Sequence, residues 1–125
     1  MQKTTAVIIK KGNKFLLEKR LIKPYRSYWV LPGGHIKKKE LPIETIKRET
    51  KEEIGIDIFP EYITLIEEKI PSIKWDAELY LFKSKLKGDP TPDKIEVSEI
   101  KWFSKKELKN IMVGFEHKKI LNKYL

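Results

Sequence analysis

The sequence predicts an α/β domain in which a mixed β-sheet is sandwiched between helices. Three observations carry this. The chain has 125 residues, close to the usual size of one domain, so residues 1–125 read as a single unit. Short apolar, β-branched runs lie on both sides of one strong helical segment. Two further helical segments close the chain, so both sheet faces can be covered.

Residues 4–10 hold Ala6, Val7, Ile8 and Ile9 and read as the first strand. Lys11-Gly12-Asn13-Lys14 is a turn, and residues 15–21 read as the returning strand of a hairpin. A proline-containing loop, 22–27, leads to a short strand, 28–30, which Leu31-Pro32-Gly33-Gly34 stops. Residues 42–54 read as a helix, with Pro42 in its permissive first turn and Gly55 just past its end. Residues 56–70 and 74–86 are β-rich and pair, with Pro71-Ser72 near their turn. A Gly/Pro/Asp loop, 88–93, precedes a short strand, 99–103. Ser104-Lys105-Lys106-Glu107 is a capping box opening a helix, and an amphipathic helix over about 116–124 ends the chain.

Composition excludes several chemistries. With no Cys there is no disulfide scaffold, Cys–zinc site, thiol nucleophile or iron–sulfur cluster. Two His are too few for a multi-His metal centre, so a metal would sit on carboxylates, which suit Mg²⁺ or Mn²⁺. No apolar run is long enough to span a membrane. Residue 4 onward is already strand-like, with no leader pattern, which sets a cytoplasmic expectation. The formal charge is +9, from 27 Lys+Arg against 18 Asp+Glu. It fits an anionic partner or a lysine-solvated surface equally well.

The chemistry concentrates in residues 34–56. On the predicted helix, Glu49, Glu52 and Glu53 stand at i, i+3 and i+4, so their carboxylates share one face. Ile43, Ile46, Thr50 and Ile54 take the neighbouring arc, suited to the sheet, and Glu44, Lys47 and Lys51 take the arc facing water. Three like charges on one face repel, and a cation relieves that repulsion.

The full pattern is Gly34, five residues, Glu40, seven residues, then Arg48-Glu49-Thr50-Lys51-Glu52-Glu53-Ile54-Gly55-Ile56. It resembles the Nudix box, G-x5-E-x7-R-E-U-x-E-E-x-G-U, at every fixed Gly, Arg and Glu position. Thr50 takes one usually aliphatic place. Outside the box, Trp29-Val30-Leu31-Pro32-Gly33-Gly34 resembles the family's W-x-L-P-G-G, and Glu99-Ile100-Lys101-Trp102-Phe103-Ser104 its E-x-x-W-F-S. Two departures are that Lys37-Lys38-Lys39 replaces an often acidic stretch and that Leu41 replaces the usual hydroxyl cap. Glu40 or water then has to satisfy the first helical amides.

The resemblance implies the Nudix fold, an α/β/α sandwich, and water attack on phosphorus in a nucleoside diphosphate linked to another group. By match to the motif, Glu49, Glu52 and Glu53, with the Gly33 carbonyl nearby, would bind Mg²⁺ or Mn²⁺. Gly34, Glu40, Arg48 and Gly55 would be structural. The general base falls to Glu53 or to a late-loop glutamate, Glu96 or Glu99, with Glu96 preferred for an active-site role. Arg20, ending its strand beside the site, is the expected phosphate clamp. His35 either hydrogen-bonds the substrate or serves its own loop. Trp75, Tyr28 and Phe82 either stack on a base or belong to the core, while Trp29 and Trp102 are framework.

The box sets the reaction class and leaves the leaving group open. The compact length and the missing N-terminal extension favour a small nucleotide such as a (d)NTP, in the manner of MutT-like pyrophosphohydrolases. Pro71 stands about where ADP-ribose-cleaving relatives often carry a proline, which makes ADP-ribose the next candidate. RNA 5′-end pyrophosphohydrolysis and a non-catalytic nucleotide-binding role are further alternatives. No aromatic-plus-basic nucleic-acid module is present. A homodimer stays open, since such dimers are common in the family and no residues here mark an interface.

Overall fold

A computed structural model describes all residues, Met1–Leu125. The chain runs β1 (Gln2–Lys11), β2 (Lys14–Arg20), β3 (Trp29–Val30), β4 (Gly33–His35), α1 (Pro42–Ile54), β5 (Asp57–Ile58), β6 (Glu61–Ile70), β7 (Trp75–Lys87), β8 (Val97–Ser104) and α2 (His117–Tyr124). Single 3-10 segments at Pro71–Ile73 and Lys105–Asn110 fill the β6–β7 turn and follow β8. No helix is long and apolar enough to cross a membrane.

β1 is the central strand. It lies parallel to β7 from Gln2↔Ala77 to Lys10↔Lys85, and antiparallel to β4 from Thr4↔His35 to Ala6↔Gly33. β6 and β5 pair with β7 in antiparallel fashion. β2 meets β1 only near the hairpin turn, at Lys10↔Phe15 and Lys11↔Lys14, then leaves it to pair with β8 and β3. That divergence opens a cleft between the far end of β2 and the β1–β4 pair.

The period-two alternation of β1 sorts the core into two layers. Ala6 and Ile8 join Phe15, Leu17, Leu79, Leu81, Phe103, Ile120 and Leu121 on the α2 side. Val7 and Ile9 join Leu16, Ile46, Ile54, Ile56, Ile58 and Phe82 on the α1 side. Both faces of β1 are thus covered, which is why Thr4 to Ile9 is buried without interruption. The expected α/β sandwich with a mixed sheet is the observed architecture.

Helix α1 spans the residues read for it. Gly55 caps it in the left-handed conformation, φ 69°, donating its N–H to Lys51 O at 3.0 Å. At the start of the helix the N–H of the capping residue, Leu41, donates to Glu44 Oε1 at 2.8 Å. Ile43 is exposed, and Thr45 takes the buried place instead, its hydroxyl donating to Glu40 Oε1 at 2.6 Å.

Other boundaries also differ from the sequence reading. Gly33–His35 is a strand and not a stop, because β1 offers it a free edge. The run 56–70 divides into β5 and β6 around Phe59-Pro60, and the strand read over 99–103 begins at Val97. The segment after Ser104 is a 3-10 helix, although its capping box forms, with the Ser104 N–H donating to Glu107 Oε1 at 2.9 Å.

Candidate active site

The cleft holds a cavity of about 250 Å³. One oxygen each of Glu49, Glu53 and Glu96 lies within 4.8 Å of the other two. Glu49 and Glu53 come from successive turns of α1. Glu96 is brought to them by the loop before β8. That loop is tied to the end of α1 by Thr91 N–H to Ile54 O and Asp93 N–H to Glu53 O, both at 2.9 Å. Asp93 Oδ1 then accepts from the N–H groups of Ile95, Glu96 and Val97, each at 3.0 Å, which fixes the turn carrying Glu96. Glu99 lies outside, 3.9 Å from Lys19.

Glu52 is not part of this cluster. Its exposed carboxylate turns to Arg48 Nη1 at 3.3 Å. Helical geometry explains the separation. At about 100° per residue Glu52 projects between Arg48 and Glu49, roughly 40° from the former and 60° from the latter. Of the residues expected to bind metal, Glu49 and Glu53 converge with Glu96, while Glu52 stands outside that group beside Arg48.

Arg48 and two glycines hold the cluster in place. Arg48 donates to Glu40 twice and to Glu49 Oε1 at 2.9 Å. The Gly33 N–H donates to Glu53 Oε1 at 3.2 Å. A Cβ on Gly33 would stand 2.0 Å from Thr5 O, and one on Gly34 would stand 2.4–2.7 Å from the Glu49 carboxylate. The paired glycines therefore let β4 close on β1 and leave the space that Glu49 fills.

Arg20 lines the same cavity. Its Nε donates to Pro24 O at 2.7 Å, and its guanidinium lies 5.1 Å from the Phe115 ring centre. His35 meets Trp75 edge to face at 5.8 Å, and burial together with Arg20 lowers its pKa, favouring the neutral ring. Trp75 continues to Phe115 at 4.9 Å, and Phe115 to Tyr25 at 4.9 Å. Phe82 is buried in the α1-side core, and Tyr28 packs on Tyr25 away from the cavity lining. Trp29 and Trp102 pack against the core.

Glu68, Phe115, His117 and Glu18 also line the cavity and were not singled out from the sequence. Glu68 is buried and accepts from Trp75 Nε1 at 2.9 Å and from the Glu116 N–H at 3.0 Å, clipping the aromatic wall to the last loop. Phe115 holds a left-handed backbone, φ 52°, within that loop. His117 is buried, with Nδ1 accepting the Leu31 N–H at 3.0 Å. Glu18 is buried beside Glu53, and each carboxyl alters the other's proton affinity. Strand parity is the signal that would have marked Glu18, since it lies two residues before Arg20 on β2.

Burial raises the Glu18 carboxyl to about 8, against the opposing effects of Glu53 and Arg20. Burial, then the charges of Glu18 and Glu49, raise Glu53 well above the usual carboxylate range. Burial also raises Glu49, while Arg48 opposes it. Glu40, gripped by Arg48, is held down to about 2.

The NUDIX domain model matches residues 1–124, nearly the whole chain. The chain belongs to the Nudix family. Relatives include the 8-oxo-dGTP diphosphatase of Buchnera aphidicola, 40% identical over 67 residues, covering 52% of each chain. The ADP-ribose pyrophosphatase of Methanocaldococcus jannaschii is 45% identical over 49 residues, 39% of this chain and 29% of that one. The match spans from 21% to 52% of the lengths of such curated relatives. Among solved Nudix structures, the MutT hydrolase of Burkholderia pseudomallei superposes with TM-score 0.86 at 18% identity, covering 99% of this chain and 98% of that one. At that identity the likeness shows the shared Nudix fold.

Proposed function

We propose that this Nudix protein hydrolyses a phosphoric anhydride bond in a small nucleotide, with a divalent cation, and that a (d)NTP is its preferred substrate. The convergence of Glu49, Glu53 and Glu96 in one cavity carries the reading. Hard carboxylate oxygens at this spacing suit Mg²⁺ or Mn²⁺. The fit is supported by the absence of any Lys, Arg or His ion pair to Glu53 or Glu96.

When bound, the cation supplies polarisation of the phosphoryl oxygens and a more acidic water. The chain does the rest. Arg48 and the Gly33 N–H fix the carboxylates, so no reorganisation is needed at the reaction. Arg20, held at Pro24 O and against Phe115, meets the phosphate chain. Trp75, held by Glu68, presents its face to the base. Glu53 takes the proton of the attacking water, with Glu96 as the alternative base.

ADP-ribose is the second reading. It is supported by the Methanocaldococcus relative and by a structural neighbour, the NUDIX domain of Shewanella oneidensis NrtR, solved with ADP ribose (TM-score 0.85, 18% identity, 98% of this chain and 85% of that one). A panel of (d)NTPs including oxidised ones, ADP-ribose, nucleotide sugars and triphosphorylated RNA separates the readings by kcat/KM. The (d)NTP reading expects the highest value on a triphosphate with pyrophosphate released. Higher efficiency on ADP-ribose would reverse the order, and no turnover of any member would leave a binding protein.

A further inference from the structure

Among the acidic residues lining the cavity, Glu18 is still without a role in this reaction. It is only 2% exposed at the inner end of β2 and lines the same cavity as Glu49, Glu53 and Glu96. Its carboxyl neighbours that of another acid, Glu53. No N–H or O–H of the chain reaches its buried Oε2. No Lys, Arg or His nitrogen comes within 4.0 Å of either carboxyl.

Two buried carboxyls facing each other without a cation make a costly arrangement in a strand that is otherwise apolar here. Phe15, Leu16 and Leu17 precede Glu18 and are fully buried, so an aliphatic side chain at 18 would continue that packing with no unpaired oxygen. A buried carboxyl with an oxygen that has no donor of its own, on a residue lining a cavity shared with three other carboxylates, is suited to a cation.

We propose that Glu18 is a fourth carboxylate of the cation site, ligating a divalent ion together with Glu53. The inference rests on the hydrolase reading above and extends the site beyond the helix and the late loop to strand β2. Glu53 joins the two parts, since it meets Glu18 directly and also stands with Glu49 and Glu96.

Mn²⁺ alone is the first probe, with the free ion followed by its electron paramagnetic resonance signal. Glu18→Gln should bind Mn²⁺ about tenfold more weakly or worse, a loss of the size seen when groups around a metal are removed. Glu99→Gln, outside the cluster, should stay within about twofold of the native protein on the same scale. Native affinity in folded Glu18→Gln overturns the proposal. The second probe needs no variant: carboxyl ¹³C signals of the native protein titrated with Mg²⁺. The Glu18 signal should move with the same Mg²⁺ dependence as that of Glu53. Movement at Glu49, Glu53 and Glu96 with Glu18 stationary rejects the inference alone. No movement at any of the four, with no Mn²⁺ bound, rejects the hydrolase reading and the inference with it.

Discussion

Arg48 grips Glu40 through two parallel hydrogen bonds, Nε to Oε2 at 2.7 Å and Nη2 to Oε1 at 2.9 Å. The pair fastens the loop before α1 to the second turn of the helix, and the remaining nitrogen, Nη1, holds Glu49. One guanidinium therefore links the local fold to the carboxylate cluster. Arg48→Lys loses the fork geometry. It should cost about 2 kcal/mol in chemical denaturation, between the values for exposed and fully buried pairs. It should also weaken Mn²⁺ binding, because Glu49 is released. Loss of stability with unchanged Mn²⁺ affinity would separate the two roles.

The adjacent glycines should fail differently. Alanine at Gly34 displaces only the end of a flexible side chain, the Glu49 carboxylate. Gly34→Ala should fold and lose about 100-fold or more in kcat, the scale on which small misplacements act. Alanine at Gly33 collides with the Thr5 backbone and must part β4 from β1, so Gly33→Ala should melt far lower. Circular dichroism melts beside turnover measurements check both. Equal behaviour of the two variants would contradict this division.

His117 makes stability depend on pH. Burial, then Arg20, lowers its pKa to about 3, and its Nδ1 must stay unprotonated to accept the Leu31 N–H. Between about 3 and the unfolded value near 6.5 the unfolded chain binds the extra proton, so stability rises with pH. The contribution is full above about 6.5 and is lost as pH falls towards 3. The stability difference between the native protein and His117→Gln should therefore be largest at pH 7.5 and shrink by pH 4.5. A difference constant across that range would show that His117 is not held neutral.

In the proposed function Trp75 stacks on a base, and such stacking is worth about 1–3 kcal/mol. Trp75→Ala should raise KM by roughly 5- to 150-fold with a smaller change in kcat. A fall in kcat at constant KM would move Trp75 from substrate binding to the framework.

The box helix was legible because Pro42, Gly55 and the Ile46/Thr50/Ile54 stripe are local signals that all agree. The position of β4 was not. A Gly-Gly pair carries no strand preference, and only the open edge of β1 makes it one. Glu96 could be preferred from its distance to Trp102, but its place beside Glu53 depends on Asp93 and on the tie to α1. Glu52 and Glu53 are neighbours in the motif, yet only Glu53 enters the cavity, since Arg48 one turn earlier draws Glu52 outward. Glu68, Phe115 and His117 lie far along the chain from the box and meet it only through the tertiary fold. Nothing in their local sequence marks them.

The most direct test of the proposed chemistry is the hydrolysis rate of a (d)NTP by the native protein and by Glu53→Gln, with Mg²⁺ and with EDTA. The account predicts turnover that EDTA stops and excess Mg²⁺ restores. It predicts a Glu53→Gln rate lower by about three orders of magnitude or more, at the upper end of general-base effects because Glu53 also serves the cation, with an undiminished melting temperature. Turnover in EDTA, or a native rate in Glu53→Gln, would contradict it.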